Sequence, residues 1–181
     1  MKGFLNAVTY LALIGILLFL AGRAVPKSWF PYSRFPFRPW GFERGGAVYQ
    51  NIGIRKWKST FPDMSVLLPK WLPSKRMPPA ADAAHLELMV QETCIAESVH
   101  MLLAVLGFGC VFFWPCAGGW GIAVLYALGN LPYICIQRYN RPKLAVLLRK
   151  MREKDRIAAR GETERLYEKG YHFKLQHGTR A

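Results

Sequence analysis

Residues 91–101 read Gln-Glu-Thr-Cys-Ile-Ala-Glu-Ser-Val-His-Met. In a helix, at about 100° per residue, Glu92, Thr93, Ala96, Glu97 and His100 fall within an arc of roughly 140°. Two carboxylates, a hydroxyl and an imidazole then share one helix face, which is a set able to move protons. An imidazole titrates near neutral pH and can serve as a general base, so His100 is the candidate base. Glu97, three residues earlier, or Glu92, two turns earlier, can orient the ring or stabilise its charged form, as a carboxylate does in a triad. A second polar cluster, Gln137-Arg138-Tyr139-Asn140-Arg141-Pro142, follows the 36 residues 101–136, none of which is charged. If that run folds back on itself, both clusters reach the same membrane face.

An unpaired carboxylate at a membrane edge is costly, on the order of 2.5–3.5 kcal/mol at the bilayer centre. Glu97 therefore requires a partner, and Arg138 or Arg141 is the natural one. The same arginines suit phosphate geometry and could bind a phosphopantetheine or pyrophosphate group, with Gln137 and Asn140 beside them. Asn130 can hydrogen-bond a neighbouring helix or line the site. Arg55, Lys56, Trp57 and Lys58 read first as a membrane-surface patch and second as a substrate contact. The plain structural alternative is a Glu–Arg bridge that only pins two helices, with His100 a packing residue.

The elements that must position these groups follow from composition. The 181 residues carry a net charge of +14 yet are 52% apolar and 14% aromatic. That balance fits one membrane domain with appendages whose basic surface meets anionic headgroups or substrates. Lys and Arg flank apolar segments and no nucleic-acid motif is present, so no nucleic-acid partner is expected. Cys94, Cys110, Cys116 and Cys135 lack CxxC spacing and read as small packing residues, with no metal site among them.

Residues 4–21 predict a helix about 27 Å long, near the hydrocarbon thickness of ~30 Å. A signal peptide is the rival reading. Lys2 alone makes a poor basic region, and Arg23 with Pro26 spoils the cleavage pattern, so a retained transmembrane helix is preferred. Residues 23–91 interleave Trp29, Trp40, Trp57, Trp71 and other aromatics with Lys and Arg, as a chain at headgroup level needs. Pro26, Pro31, Pro36 and Pro39 forbid a regular helix across the first part of this segment. Pro69, Pro73, Pro78 and Pro79 mark another irregular stretch, after which Asp82 can cap a restarted helix. The uncharged run is too long for one crossing, and Trp114-Pro115-Cys116-Ala117-Gly118-Gly119-Trp120 breaks it. Two short helices over 97–114 and 120–137 are expected, crossing or only dipping into the membrane. Leu144, Leu147, Leu148 and Met151 predict a separate amphipathic surface helix, and the tail beyond Gly161 is expected to be loosely ordered.

The fold class is thus mainly α: an integral membrane protein with three transmembrane helices, one N-terminal and two in a C-terminal hairpin. Its expected divisions are 1–22, 23–91, 92–137 and 138–181. The segments 23–91 and 138–181 carry 11 and 13 Lys/Arg, against Lys2 at the N-terminus and none at 115–119. Positive charge stays inside, so the N-terminus is expected outside the cell membrane and the C-terminus in the cytoplasm.

Three blocks carry a family resemblance. The first is Trp29-Phe30 with residues 37–42, Glu43-Arg44-Gly45-Gly46, Ile54-Arg55-Lys56-Trp57-Lys58 and Pro62-Asp63. The second is Glu92-Thr93-x-x-Ala96-Glu97-x-x-His100. The third is Asn130-Leu131-Pro132 with Gln137-Arg138-Tyr139-Asn140-Arg141-Pro142-Lys143-Leu144. In this order and spacing the chain resembles the glycosyl-4,4′-diaponeurosporenoate acyltransferase family of the staphyloxanthin pathway over residues 27–150. The resemblance implies transfer of a fatty acyl group from an activated thioester to a sugar hydroxyl of a membrane-embedded acceptor. Its partners would be membrane lipids, the thioester donor and the lipid-linked acceptor. An amine acceptor, a protein partner or a second copy of the chain stays open. No cofactor is implied, and the roles given to His100, Glu97, Glu92, Arg138 and Arg141 rest on chemistry rather than on the family. Two other function classes use the same residues: a metal-dependent intramembrane hydrolase with Glu92, Glu97 and His100 as ligands, and a non-catalytic accessory subunit of a lipid- or lipoprotein-modifying complex.

Overall fold

A computed structural model describes residues 1–60 and 82–177, with side chains up to residue 167. The chain opens with α1 (Lys2–Ala24), passes through 3-10 turns at Lys27–Trp29 and Gly41–Gly46, and forms two short helices, α2 (Ala47–Asn51) and α3 (Ile54–Trp57). Two long helices follow. Helix α4 (Ala83–Leu106) tightens into 3-10 geometry over Gly107–Phe112, and α5 (Ala117–His177) runs for 61 residues. The described residues contain no strand. Three helices, α1, α4 with its 3-10 extension and α5, are long and apolar enough to cross a membrane. The protein is therefore a mainly helical membrane protein.

The prolines at 26, 31, 36 and 39 hold residues 25–40 to turns and one short 3-10 segment, as their fixed φ and missing N–H dictate. Asp82 caps α4: its Oδ1 accepts from the His85 N–H at 2.8 Å. The α4–α5 turn depends on Gly119, where a Cβ would stand 1.9 Å from the Trp114 carbonyl oxygen. Near this turn Ala7 and Leu11 of α1 pack on Cys110 and Ala123. Tyr10 Oη donates to the Leu106 carbonyl at 2.8 Å. The far end of the α4–α5 pair closes with Leu86 and Val90 on Leu148. Between these two apolar ends lies a polar layer.

Three expectations need correction. The helices of the hairpin are not confined to 97–114 and 120–137, and the amphipathic segment after residue 143 is not a separate helix. Pro132 and Pro142 both lie inside α5. Each removes one backbone hydrogen bond, which membrane helices tolerate when neighbouring groups satisfy the freed carbonyl. The tail beyond Gly161 is also not loose up to His177, because α5 continues through it. Ion pairs along the helix support its exposed part, Arg156 to Glu153 at 3.0 Å and Arg160 to Glu164 at 3.2 Å. The irregular stretch expected around Pro69–Pro79 and the Pro62-Asp63 pair lie outside the described residues.

Candidate active site

The polar layer is built on Glu97, which is 0% exposed. Arg138 Nη1 donates to Glu97 Oε1 at 2.5 Å, and Arg141 Nη2 donates to Glu97 Oε2. Both arginines descend from α5, one turn apart, and Glu97 faces them from α4. Arg138 Nε also donates at 2.5 Å to Glu43 Oε1, a buried carboxylate on the 3-10 turn Gly41–Gly46. Two carboxylates thus meet two guanidinium groups, and the layer is neutral as a unit.

The remaining donors are tied down by backbone. Arg141 Nη1 donates to the Phe37 carbonyl at 2.8 Å and Nη2 to the Thr93 carbonyl at 3.0 Å. Its Nε donates to Thr93 Oγ1 at 3.0 Å, and that hydroxyl donates to the Val90 carbonyl at 2.6 Å. Every nitrogen of Arg141 is engaged. Arg138 differs. Its Nη1 also reaches the Pro36 carbonyl at 3.3 Å, but its buried Nη2 has no hydrogen-bond partner among the described residues. The Arg138 guanidinium lies 4.3 Å from the ring centroid of Trp40, which covers it from the partly exposed side.

Glu43 is fixed from three directions. Beside Arg138, Tyr49 Oη donates to its Oε1 at 2.6 Å and the Trp40 N–H to its Oε2 at 2.8 Å. Positive φ at Arg44 (46°), Gly45 (65°) and Gly46 (97°) reverses the chain here and turns Glu43 inward. Burial disfavours its ionised form, but the hydrogen bonds from Arg138, Tyr49 and Trp40 outweigh that and hold the carboxyl below its ordinary value of 4.5. The same pairing, with burial, raises the Tyr49 phenol above its ordinary value.

His100 stands one turn beyond Glu97 on α4, about 4.5 Å further along the axis. Its Nδ1 lies 2.8 Å from Asn130 Oδ1, while Asn130 Nδ2 donates to the Tyr126 carbonyl at 2.8 Å. That second bond assigns the amide orientation: the oxygen faces the imidazole, so Nδ1 is the donor of the pair. The ring stacks on Tyr133 at 4.5 Å between centroids and 8° between planes.

The structure brings Thr93, Glu97, Arg138 and Arg141 into one network, with Asn130 and His100 joined on the adjoining turn. Gln137 is buried and Asn140 half-buried beside them. Glu92 lies apart, paired with Lys27 at 2.5 Å in a partly exposed position. Trp57 Nε1 donates to the Ile52 carbonyl at 3.1 Å, outside the ion network. Among the described residues no three His, Cys, Asp or Glu side chains converge as a metal site requires, so Glu92, Glu97 and His100 are not assembled as ligands. Sequence reasoning missed the roles of Glu43 and Tyr49. The available signal was a lone acid followed by Arg44-Gly45-Gly46 in a segment otherwise rich in Lys and Arg.

Residues 26–150 match the family described as glycosyl-4,4′-diaponeurosporenoate acyltransferase. Similar proteins include the glycosyl-4,4′-diaponeurosporenoate acyltransferase of Staphylococcus aureus strain bovine RF122 / ET3-1, 30% identical over 136 residues, covering 71% of this chain and 77% of that protein. The protein of the same description from strain MRSA252 is 31% identical over 132 residues, with the same two shares. No solved structure matches the chain.

Proposed function

This chain belongs to the glycosyl-4,4′-diaponeurosporenoate acyltransferase family, and we propose that it moves a fatty acyl group from a thioester to a hydroxyl of a glycosylated, membrane-embedded acceptor at the cytoplasmic face. Its relatives' name gives the acceptor class: a sugar on a long apolar body. Enzymatic acyl transfer follows from the family; the donor, the membrane face and the residue roles are our reading. Its principal support is the His100–Asn130 pair beside a buried, charge-neutral layer that ends in an unpartnered Arg138 donor.

The chemistry is as follows. His100 Nε2 takes the proton of the acceptor hydroxyl as its oxygen attacks the thioester carbonyl. The carbonyl oxygen gains negative charge, and Arg138 Nη2 is the donor available to stabilise it. Collapse of the tetrahedral intermediate re-forms the carbonyl, breaks the C–S bond and expels the thiolate, which recovers the proton from the imidazolium. Asn130 is a positioning residue that keeps the proton on Nδ1. Glu97, Glu43 and Arg141 hold Arg138 in place, and Thr93 holds Arg141. No covalent acyl-enzyme is required.

The test is lipid mass spectrometry of cells lacking the gene, complemented with wild type, His100→Ala or Asn130→Ala. An acylated lipid that disappears on deletion and returns only with wild type supports the transferase and identifies its acceptor. Full restoration by His100→Ala at normal protein level would reject the base and favour an accessory role. An unchanged acyl inventory on deletion would reject acyl transfer itself.

A further inference from the structure

A second cluster of charge has no counter-ion among the described residues. Tyr139, 1% exposed, packs with Tyr49 and Ile54 and has three cations around its ring. Arg55 Nε donates to Tyr139 Oη at 3.2 Å. Lys143 Nζ, one helical turn further along α5, lies 3.3 Å from the ring centroid. Lys58 Nζ lies 5.2 Å from it. Two separate stretches of sequence, 54–58 and 137–144, are thus brought around one aromatic ring.

None of the three cations forms an ion pair with a carboxylate of the described residues, and the two nearest buried acids, Glu43 and Glu97, are engaged by Arg138 and Arg141. The ring face attracts the ammonium groups, but it does not neutralise three like charges. An anion would. Arg55 and Lys143 are exposed and Lys58 is half-buried, so a ligand can reach them from water. Arg138 and Arg141 are already paired with Glu43 and Glu97 and add no free charge to the cluster.

We infer that Arg55, Lys58 and Lys143, set around Tyr139, form a binding site for a phosphate-bearing group. A phosphate offers several acceptor oxygens to converging donors, and Arg and Lys differ in how they meet it: Arg through its planar fork, Lys as a compact charge. The phosphate arrives either on a water-soluble activated acyl donor or on an anionic lipid headgroup. The site is independent of His100 and stands whether or not the acyl-transfer reading does.

The test places the full chain in nanodiscs of phosphatidylcholine and titrates coenzyme A as the soluble probe. In a second arm, phosphatidylglycerol is included and the lipid retained by the protein is counted by native mass spectrometry. Binding in either arm that weakens about tenfold with Arg55→Gln or Lys143→Gln, and is largely kept by Arg55→Lys, supports the site and identifies its source. Lys56→Gln changes a neighbouring exposed cation outside the cluster and should leave affinity unchanged. Equal weakening by Lys56→Gln would mean a diffuse basic surface and overturn the site. So would the absence of cation-dependent binding in both arms. Unaltered thermal unfolding of the surface variants confirms that affinity, not folding, is being read.

Discussion

At the scale of residues, Glu97 organises the interior by charge. Breaking a buried ion pair from one side leaves the other charge stranded, which typically costs about 3–5 kcal/mol. Arg141→Met should therefore destabilise the chain by about that amount, read from chemical unfolding in detergent. Lys143→Met, an exposed change of the same kind two residues along α5, should cost far less. Glu43 gives a pH signature. Its carboxyl is held below 4.5 in the folded chain, so the unfolded state binds the proton more readily. The stabilisation is then complete above pH 4.5 and is lost as pH falls through the folded value. Proteolysis of the 25–60 segment should accelerate only under acid. Tyr49→Phe removes one of the hydrogen bonds that stabilise the carboxylate and should move that onset to higher pH. A Glu97 partnered by arginine was predictable from the cost of an unpaired carboxylate. Its second arginine follows from the one-turn spacing of Arg138 and Arg141. Glu43 was not predictable in the same way, because its inward turn depends on three successive positive-φ residues and on contacts almost a hundred positions away.

At the scale of elements, sequence patterning marks where helices start more surely than where they stop. Asp82 marks the start of α4, and the Trp114–Trp120 breaker marks the α4–α5 turn. Pro142, at the end of the polar cluster, lies within α5, as helices tolerate where neighbouring groups satisfy the freed carbonyl. Just after Gly161 the helix is exposed throughout residues 162–167, with the Arg160–Glu164 pair at its start, a signal too weak to read from hydropathy alone. The turn itself yields a sharp prediction. A methyl at Gly119 would meet the Trp114 carbonyl at 1.9 Å, and backbone cannot step aside as a flexible side chain can. Gly119→Ala should destabilise by about 1–3 kcal/mol through overpacking and lower the yield of folded protein in detergent. Gly121→Ala, with nothing within 4 Å of its Cβ, should be neutral or stabilising by up to about 1 kcal/mol. If both variants behave alike, the α4–α5 turn is not as the geometry describes.

At the scale of the whole molecule, charge and span number argue for one orientation, which labelling can test. Three crossings place the N-terminus and the 25–60 segment on opposite faces. The Lys and Arg totals of 11 and 13 in 23–91 and 138–181 favour the cytoplasm for both. The polar layer, the His100–Asn130 pair and the Tyr139 cluster would then all approach the cytoplasmic leaflet, where a water-soluble donor can meet an acceptor held in lipid. The same arrangement sends the α4–α5 turn to the outer surface, and the chain carries its own reporter there. Cys116 is exposed, whereas Cys94 and Cys110 are buried and Cys135 is half-buried within α5. A membrane-impermeant maleimide added to intact cells should label the protein once, at Cys116, and Cys116→Ser should abolish that label. Labelling that requires permeabilised cells would invert the topology and move the proposed chemistry to the other leaflet. The polar layer itself would survive that inversion, because it is closed by contacts within the chain. The assignment of a cytoplasmic thioester donor would not, so this labelling pattern decides which pool of acyl groups the enzyme can draw on.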